Sequence, residues 1–276
     1  IKQIKSFNPS DVEGYKKFIK KAEQVFHAGF ALIDQPFNTI AGMAKVLPDL
    51  IRLRADKSVF SLVSKYIKDS RLQQVFSFHP LLVGGNPFKT TSIYALIHHL
   101  EKEWGVWFAM GGTGALVNAM VKLFTDIGGK IYYKSEVVEI KIDDMQQVRG
   151  VRLRDNPNLV SADVVVCNAE ISQAYQSLIP ENRRTINTNK KHQSFDYSMS
   201  LFVMYFGTNK KYEDVAHHEI LMGPRNRGLI DDIFEKKRLS GDFSLYLHRP
   251  TATDSSLAPP GCDSWYVLSP TPHLGA

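Results

Sequence analysis

The segment FAMGGTGALVNAMVKLFTDIGGKIYYKSEVVEI, which runs from Phe108 to Ile140, outlines a nucleotide-binding unit. A glycine cluster opens a stretch of helical character, and residues typical of a strand follow it. The dinucleotide fingerprint requires G-x-G-x-x-G and an acidic residue about 20 positions further on. Gly112 and Gly114 supply the first two glycines, and Glu136 stands 22 positions after Gly114. Val117 occupies the third glycine position, where a side chain pushes the helix away from the strand.

The surroundings of these glycines also disfavour a primary dinucleotide loop. The preceding WGVWFAM is a poor match to an aliphatic first strand, and no Lys-Ser or Lys-Thr pair follows as in a Walker loop. The pairs Gly111-Gly112 and Gly128-Gly129 bracket the helix, which predicts a tight entry turn and a C-cap. A close approach of this backbone to a ligand stays open as the alternative, because glycine lets other atoms come near.

Composition bounds the class of protein. The chain has 276 residues with 43% hydrophobic and 11% aromatic content, which is enough to bury one large core or two ordinary ones. The net charge of +6 comes without a long basic block or a zinc-finger spacing, so we expect no nucleic-acid partner. Cys167 and Cys262 match neither a metal spacing nor a disulfide framework, which favours a reducing compartment and no metal site.

An amphipathic helix is predicted near the start of the chain. Ser10 and Glu13 have capping-box spacing, so the helix should begin near Asp11. The residues predicted to face inward are Val12, Tyr15, Phe18, Ile19, Ala22 and Phe26. The residues predicted to lie away from that face are Lys16, Lys17, Lys20 and Lys21. A solvated basic face and a membrane-surface helix are both compatible with this pattern.

The rest of the chain changes character twice. Helical patterns dominate up to Phe108, an α/β stretch follows, and strand patterns dominate from Ser198 onward. Strands are predicted at Lys130–Tyr133, Val137–Ile142, Val148–Leu153 and Ala162–Asn168, and later in SLFVMYFG, HHEILMG, DFSLYLH and SWYVLSP. The run ADVVVCN suits a strand buried on both faces. An α/β unit between unlike segments indicates two interleaved domains.

Several motifs make the sequence recognisable. Phe76–Val117, FSFHPLLVGGNPFKTTSIYALIHHLEKEWGVWFAMGGTGALV, resembles the bacterial-type phytoene desaturases, which belong to the FAD-dependent desaturases and amine oxidases. The likeness spans essentially the whole chain. It includes SFNPSDVEGYKKF near the start, ADVVVCNAE at Ala162–Glu170, and TDSSLAPPGCDSWYVLSPTPHL at Thr253–Leu274.

The resemblance implies a fold and a set of cofactor contacts. The fold is α/β (α+β mixed), with part of a Rossmann-like FAD-binding domain interleaved with a helical and β-sheet substrate domain. The implied domains are 1–107 (helical, substrate and membrane side), 108–172 (FAD-binding) and 173–276 (β-rich, substrate side). Val137 is expected beside the adenine through its backbone, and Asn168 and Ala169 are expected near the cofactor.

By the same resemblance, the family's GxGxxG loop lies upstream of Ile1, and a second flavin motif lies beyond the last residue. The chain starts with Ile and stops at PTPHLGA, so we expect an internal piece of a longer protein. In the family, the glycine loop of the opening segment marks the return of the chain from the substrate domain to the flavin domain.

The implied reaction is desaturation of phytoene toward lycopene by hydride transfer to flavin followed by proton loss. Some family members carry an acidic and basic cluster before a Pro-Leu helix. Here the segment IAGMAKVLPDL has Ala41 and Gly42 at those places, and only Lys45 is basic. The catalytic residues therefore stay unassigned. His79 and Asp254 are candidates, each with a structural alternative: a lone histidine is more often structural, and TDSS suits a turn.

The implied substrate and location follow from the same likeness. A long isoprenoid hydrocarbon such as phytoene lives in the bilayer, so we expect a cytoplasmic, peripheral membrane protein with a quinone or oxygen as electron acceptor. Neither a signal peptide nor an apolar run of ~18 residues is recognised. A diapophytoene desaturase, a carotenoid isomerase, a retinol saturase and a non-catalytic membrane-binding fragment remain alternatives.

Overall fold

The computed structural model describes residues 1–30 and 40–273 of the chain. The chain folds into two compact units. The first combines residues 1–116 with residues 198–276, and the second is Val117–Tyr197. The first unit is therefore built from two separate parts of the sequence, and the second unit is inserted between them. The domain boundaries implied by the resemblance stay a prediction.

Helices form the N-terminal part of the first unit. They are α1 (Lys2–Phe7), α2 (Asp11–Phe30), α3 (Ile40–Leu53), α4 (Val59–Tyr66), α5 (Ser70–Ser77) and α6 (Leu96–Trp104). Short 3₁₀ turns at His79–Val83 and Ser92–Ala95 lie between α5 and α6. Helix α2 begins at Asp11, as predicted, and its predicted inner face is buried or half-buried. Phe18 is fully buried in a core that it shares with residues of α4 and α5.

Asp11 links the start of α2 to the loop between α4 and α5. Its side chain is 1% exposed, and its carboxylate accepts the backbone N–H groups of Lys68 and Asp69, each at 2.8 Å. Asp69 then caps α5 by accepting the N–H groups of Arg71 and Leu72. Charge-assisted hydrogen bonds of this kind are stronger than neutral ones. They hold together segments that are 57 residues apart in the sequence.

The basic side of α2 lies in solvent. Lys16, Lys17 and Lys20 are exposed, and Lys21 is half-buried. Lys16 pairs with Glu13 one turn earlier at 2.6 Å, which is an ordinary surface ion pair. The exposed lysines are compatible both with a solvated basic face and with a membrane-surface helix.

A four-stranded antiparallel sheet forms the rest of the first unit. It consists of β4 (Ser200–Thr208), β5 (His218–Leu221), β6 (Leu245–His248) and β7 (Asp263–Thr271) in the order β4-β7-β6-β5. All four strands were predicted. A helix, α10 (Asn226–Phe234), connects β5 to β6. Its buried Leu229 and Ile233 form a second core cluster with Met199.

The second unit centres on a three-stranded antiparallel meander. Its strands are β1 (Val137–Ile142), β2 (Val148–Leu153) and β3 (Asn156–Ser161). The first two have the predicted bounds, and the third was not predicted. Two short helices follow, α8 (Ile171–Gln173), continued by a π turn, and α9 (Asn189–Gln193). Helix α7 (Gly112–Asp126) leads from the first unit into the second.

Two predicted strands are absent from the described residues. Neither Lys130–Tyr133 nor Ala162–Asn168 forms a strand, and the side chains of Val164 and Val166 are 76% and 90% exposed. The expectation of a strand buried on both faces is therefore wrong for this structure. A strand needs a neighbour to accept and donate its backbone hydrogen bonds, and no described segment pairs with either stretch.

Among the described helices, none combines the length and the apolar character needed to cross a membrane.

Candidate functional site

An apolar cavity of about 270 Å³ lies within the first unit. One face of the four-stranded sheet forms its floor, and α5, the turn at His79–Val83 and α10 form the opposite wall. The floor residues on this face are Leu201, Ile220, Tyr246, Tyr266, Leu268 and Pro270, and Met222 and Leu245 also line the cavity. The wall residues include Gln74, Ser77, Phe78, Leu81, Leu82, Asn226, Leu229 and Ile230. Ligand pockets are typically concave and largely apolar, and this cavity lies just below their usual volume of about 300–1,000 Å³.

The register of the sheet explains how distant residues reach this floor. Leu201 of β4 pairs with Pro270 of β7. Tyr246 of β6 pairs with Leu268 of β7 on one side and with Ile220 of β5 on the other. Directly opposed residues of paired strands point to the same face. The floor is therefore the product of period-two alternation in β7 combined with the pairing of β4, β7, β6 and β5.

Three histidines lie further along the same sheet face. His218 of β5 pairs directly with His248 of β6, and His217 immediately precedes β5. The Nε2 atoms of His217 and His248 are 2.8 Å apart. The Nδ1 atom of His218 is 2.6 Å from the Tyr246 hydroxyl, whose ring belongs to the cavity floor. The apolar floor thus ends in a cluster of imidazoles.

Burial makes these imidazoles weak bases. It is the main cause that lowers the pKa of His248 to about 4, and the neighbouring His217 and His218 add to it. The pKa values of His217 and His218 are also lowered, chiefly because neighbouring groups remove part of the solvent around each ring. Burial raises the pKa of Tyr246. At neutral pH the three imidazoles are uncharged, so one nitrogen of each ring carries a proton and the other keeps a lone pair.

The candidate His79 belongs to a different cluster, in the helical part of the first unit. It is 4% exposed, and its Nε2 lies 3.1 Å from Glu101 Oε1. This contact is the main cause that lowers the pKa of Glu101. His98 lies edge-on to His79, with ring centroids 4.3 Å apart, and donates from Nε2 to the Phe76 carbonyl oxygen at 2.8 Å. His79 is not among the residues that line the apolar cavity.

His98 should make the stability of the first unit depend on pH. Burial, followed by the charge of His79, lowers the pKa of His98 to about 4, whereas an unfolded histidine titrates near 6.5. The unfolded state therefore binds more protons between these values, and stability falls as the pH drops. We expect a loss of about 2 kcal/mol between pH 7 and about pH 5.

Denaturant unfolding followed by circular dichroism over this pH range measures the loss. His98→Gln should remove that part of the slope, and the exposed His27→Gln is the matched control that should retain it. An identical slope in wild type and His98→Gln would contradict the assignment.

The glycine loop before α7 is hydrogen-bonded to the carboxylate of Asp254. Gly111 and Gly112 have φ values of +83° and +76°, which an L residue rarely adopts, and they form the predicted tight turn where α7 begins. The Gly111 N–H donates to Asp254 Oδ2 at 2.6 Å. Hydrogen bonds from the Ser256 hydroxyl and then from Gly111 lower the pKa of Asp254. An ionised carboxylate beside the start of α7 disfavours a phosphate there, which supports the structural interpretation of the loop.

The predicted flavin contacts lie in the second unit. Val137 is the first residue of β1 and is half-buried. Its pairing with Leu153 is followed by a register shift before Glu139. Asn168 and Ala169 are exposed and precede α8. Their role at a cofactor stays a prediction.

The remaining candidates from the sequence lie in the segment IAGMAKVLPDL. Gly42 lies in α3, whereas the side chains of Ala41 and Lys45 lie outside the described residues. Sequence reasoning missed the cluster of His217, His218 and His248. The adjacent HH pair in HHEILMG was the available signal, but nothing local places a residue 30 positions later beside it.

Comparisons with known proteins confirm the resemblance. Over 99% of this chain, a phytoene desaturase (lycopene-forming) of Pseudescherichia vulneris is 50% identical, and one of Pantoea ananas is 47% identical. A phytoene desaturase (neurosporene-forming) of Rhodobacter capsulatus is 42% identical. The chain spans about half the length of these curated relatives, at 55%, 55% and 53%.

Solved structures support the fold. An oxidoreductase of Methanosarcina mazei matches with a TM-score of 0.58 at 16% identity, covering 84% of this chain and 51% of that protein. A protein of Pyrococcus furiosus matches with a TM-score of 0.56 at 19% identity, covering 78% and 49%. Both agree with the predicted mixed α/β fold. A profile of flavin-containing amine oxidoreductases matches residues 42–242. The chain therefore belongs to the flavin-containing amine oxidoreductase family.

Proposed function

We propose that this chain provides the substrate pocket and part of the flavin-binding domain of an FAD-dependent desaturase that converts phytoene toward lycopene. The relatives named phytoene desaturase, which are 46–50% identical over 99% of the chain, support the assignment. The observation that carries it is the apolar cavity above the sheet. A hydrocarbon offers no polar group to recognise, so its binding must come from apolar burial and shape.

The cavity lining also fits the order of the chemical steps. Among the described residues that line it, none is Asp, Glu, Lys, Arg or His. Such a lining cannot begin by removing a proton from an unactivated C–H bond, so hydride departure has to come first. Tyr246 and Tyr266 bring aromatic rings to the floor, and rings of this kind attract the positive charge that develops on the hydrocarbon. A cavity of about 270 Å³ holds a segment of a long polyene.

FAD, when bound, supplies the acceptor for the departing hydride. The second unit offers backbone that fits the adenine contact proposed for Val137. The register shift between Val137 and Glu139 interrupts the regular ladder with β2 at this point. The exposed Asn168 and Ala169 lie in a segment without strand partners among the described residues, and we assign them to the same cofactor.

A membrane surface and a quinone or oxygen complete the proposal. The exposed Lys16, Lys17 and Lys20 on α2 support docking to anionic lipid, from which a bilayer-soluble substrate can be taken. The acceptor that reoxidises the flavin is assigned by analogy with the resembled family alone.

The test is a chimera in which residues 1–276 replace the matching part of the Pantoea ananas relative. The chimera receives phytoene in liposomes of neutral or anionic phospholipid, with a quinone or oxygen. Products are followed by chromatography with absorbance detection. New conjugated polyenes, formed faster on anionic lipid, are expected. A chimera that retains flavin but leaves phytoene unchanged would rule out the substrate assignment, and equal rates on both lipids would rule out the docking role.

Two neighbouring residues of β5 test the cavity itself. Ile220 lies in the cavity floor, whereas Leu221 is 46% exposed and is not part of the lining. Ile220→Asn in the chimera should lower kcat/KM for phytoene by about tenfold to a hundredfold, because an unpaired amide in an apolar site costs about 1–3 kcal/mol. Leu221→Asn, the matched control, should leave the rate nearly unchanged. Equal effects of both substitutions would place the substrate elsewhere.

A further inference from the structure

The cluster of His217, His218 and His248 has the composition of a metal-binding site. One ring nitrogen from each histidine lies within 4.8 Å of those of the other two. His217 and His248 approach most closely, with 2.8 Å between their Nε2 atoms. Two imidazole nitrogens at this distance must share a proton, because two facing lone pairs repel each other. A cation can take the place of that proton and accept both lone pairs.

The Nδ1 atoms of His217 and His218 each lie within hydrogen-bond distance of a hydroxyl group, as the second ring nitrogen does in many metal sites. His217 Nδ1 lies 2.5 Å from the Thr253 hydroxyl, and His218 Nδ1 lies 2.6 Å from the Tyr246 hydroxyl. A hydrogen bond on the second ring nitrogen is the usual feature that orients a metal-ligating histidine. It leaves Nε2 of each ring for a ligand. His248 Nδ1 is buried without a hydrogen-bond partner among the described residues.

Aromatic neighbours keep the three rings in place. Phe108 contacts His217 edge-on at 4.7 Å between ring centroids, and Tyr266 contacts His248 in the same way at 4.6 Å. The strand pairing of His218 with His248 fixes the spacing of their backbones. Tetrahedral coordination at about 2.0–2.1 Å separates ligand nitrogens by ~3.3 Å. The 2.8 Å contact therefore has to open by about half an ångström, which a small ring rotation supplies.

We propose that His217, His218 and His248 bind one divalent late transition-metal ion, of which Zn²⁺ is the probe of choice. Three imidazoles suit Zn²⁺, Cu²⁺ or Ni²⁺ and not Mg²⁺ or Ca²⁺, which require oxygen ligands. A fourth position remains for water. The ion joins the edge strand β5 to β6, so it stabilises the sheet beside the apolar cavity. The site does not depend on the proposed desaturase activity.

The second group that brings three potential ligands together, His79, His98 and Glu101, fits a metal less well. His98 donates Nε2 to a backbone carbonyl, and His79 Nε2 is paired with the Glu101 carboxylate. Two nitrogens that would have to turn toward an ion are therefore already bound to protein oxygens. This group serves as the internal comparison in the test.

The test uses the metal-free chain titrated with Zn²⁺ by isothermal titration calorimetry, and with Co²⁺ by visible absorption. We expect one Zn²⁺ per chain, a rise in the melting temperature on binding, and the absorption bands of tetrahedral cobalt. His218 is exposed, so His218→Gln should fold normally, and it should raise the Kd for Zn²⁺ by about a hundredfold or more. Thr253→Val, which removes an outer hydrogen bond, should raise it by about tenfold. The exposed His27→Gln is the control that should leave the Kd unchanged.

Three results would overturn the proposal. They are the absence of saturable 1:1 Zn²⁺ binding, an unchanged Kd in both His218→Gln and Thr253→Val, and loss of binding in Glu101→Gln with normal binding in His218→Gln. Circular dichroism of each variant checks the fold. If His218→Gln does not fold, the Kd for Zn²⁺ of Thr253→Val, which lies on a different segment, tests the proposal in its place. Desaturase activity enters none of these readouts, so its failure leaves this result independent.

Discussion

Phe18→Ala should lower the free energy of unfolding of the first unit by about 3–5 kcal/mol. The Phe18 ring is fully buried and lies among the rings of Tyr66, Phe76 and His98, with centroids 4.9–6.3 Å away. Removing it takes away apolar burial and leaves a cavity, since α2, α4 and α5 are tied to each other by the Asp11 hydrogen bonds and close in only partly. Denaturant unfolding followed by far-UV circular dichroism measures the change.

Phe7→Ala is the matched control for this substitution. Phe7 is 46% exposed, and its ring lies 4.7 Å from the Arg71 guanidinium. It should cost about 1 kcal/mol or less, because an exposed cation–π pair is worth about that amount. If Phe18→Ala cost no more than Phe7→Ala, the helical core would not be centred on α2 as described.

Gly150→Ala should disrupt the meander of the second unit, at a cost of at least about 3 kcal/mol. Gly150 is buried in the central strand β2 and has a φ of +138°, which L residues rarely adopt. A methyl group there would stand 2.1 Å from the Val160 carbonyl oxygen of β3. That oxygen belongs to a paired strand and cannot move without breaking hydrogen bonds of the ladder. Hydrogen–deuterium exchange should therefore rise across β2 and β3.

Gly114→Ala is the control with the opposite expected sign. Gly114 lies inside α7, and a methyl group there would meet no atom within 4 Å. Alanine is the better helix former by about 1 kcal/mol, so this variant should be neutral or more stable. Unchanged exchange in Gly150→Ala, or a destabilised Gly114→Ala, would contradict the geometry of these two positions.

Local sequence patterns account for some elements of this fold, and long-range contacts account for others. The buried face of α2 and the bounds of β1 and β2 followed from periodicity, because side-chain alternation in helices and strands is set by neighbours a few residues away. The motifs of Phe76–Val117 are sufficient to identify the family. The same local reasoning failed for Ala162–Asn168. Its valines indicate a strand, but a strand forms only where another supplies hydrogen bonds.

What the sequence determined by itself was therefore the family, the order of helical and β-rich parts, and the faces of the strongly periodic elements. Only the tertiary structure decided which side chains meet. The pairing of β5 with β6 brings His248 beside His218, and the folding of the chain brings Asp254 to Gly111, 143 residues away. The apolar cavity likewise depends on the register of four strands and on α5 and α10, which pack against them. Such contacts depend on the pairing and packing of segments far apart in the chain, which local periodicity does not encode.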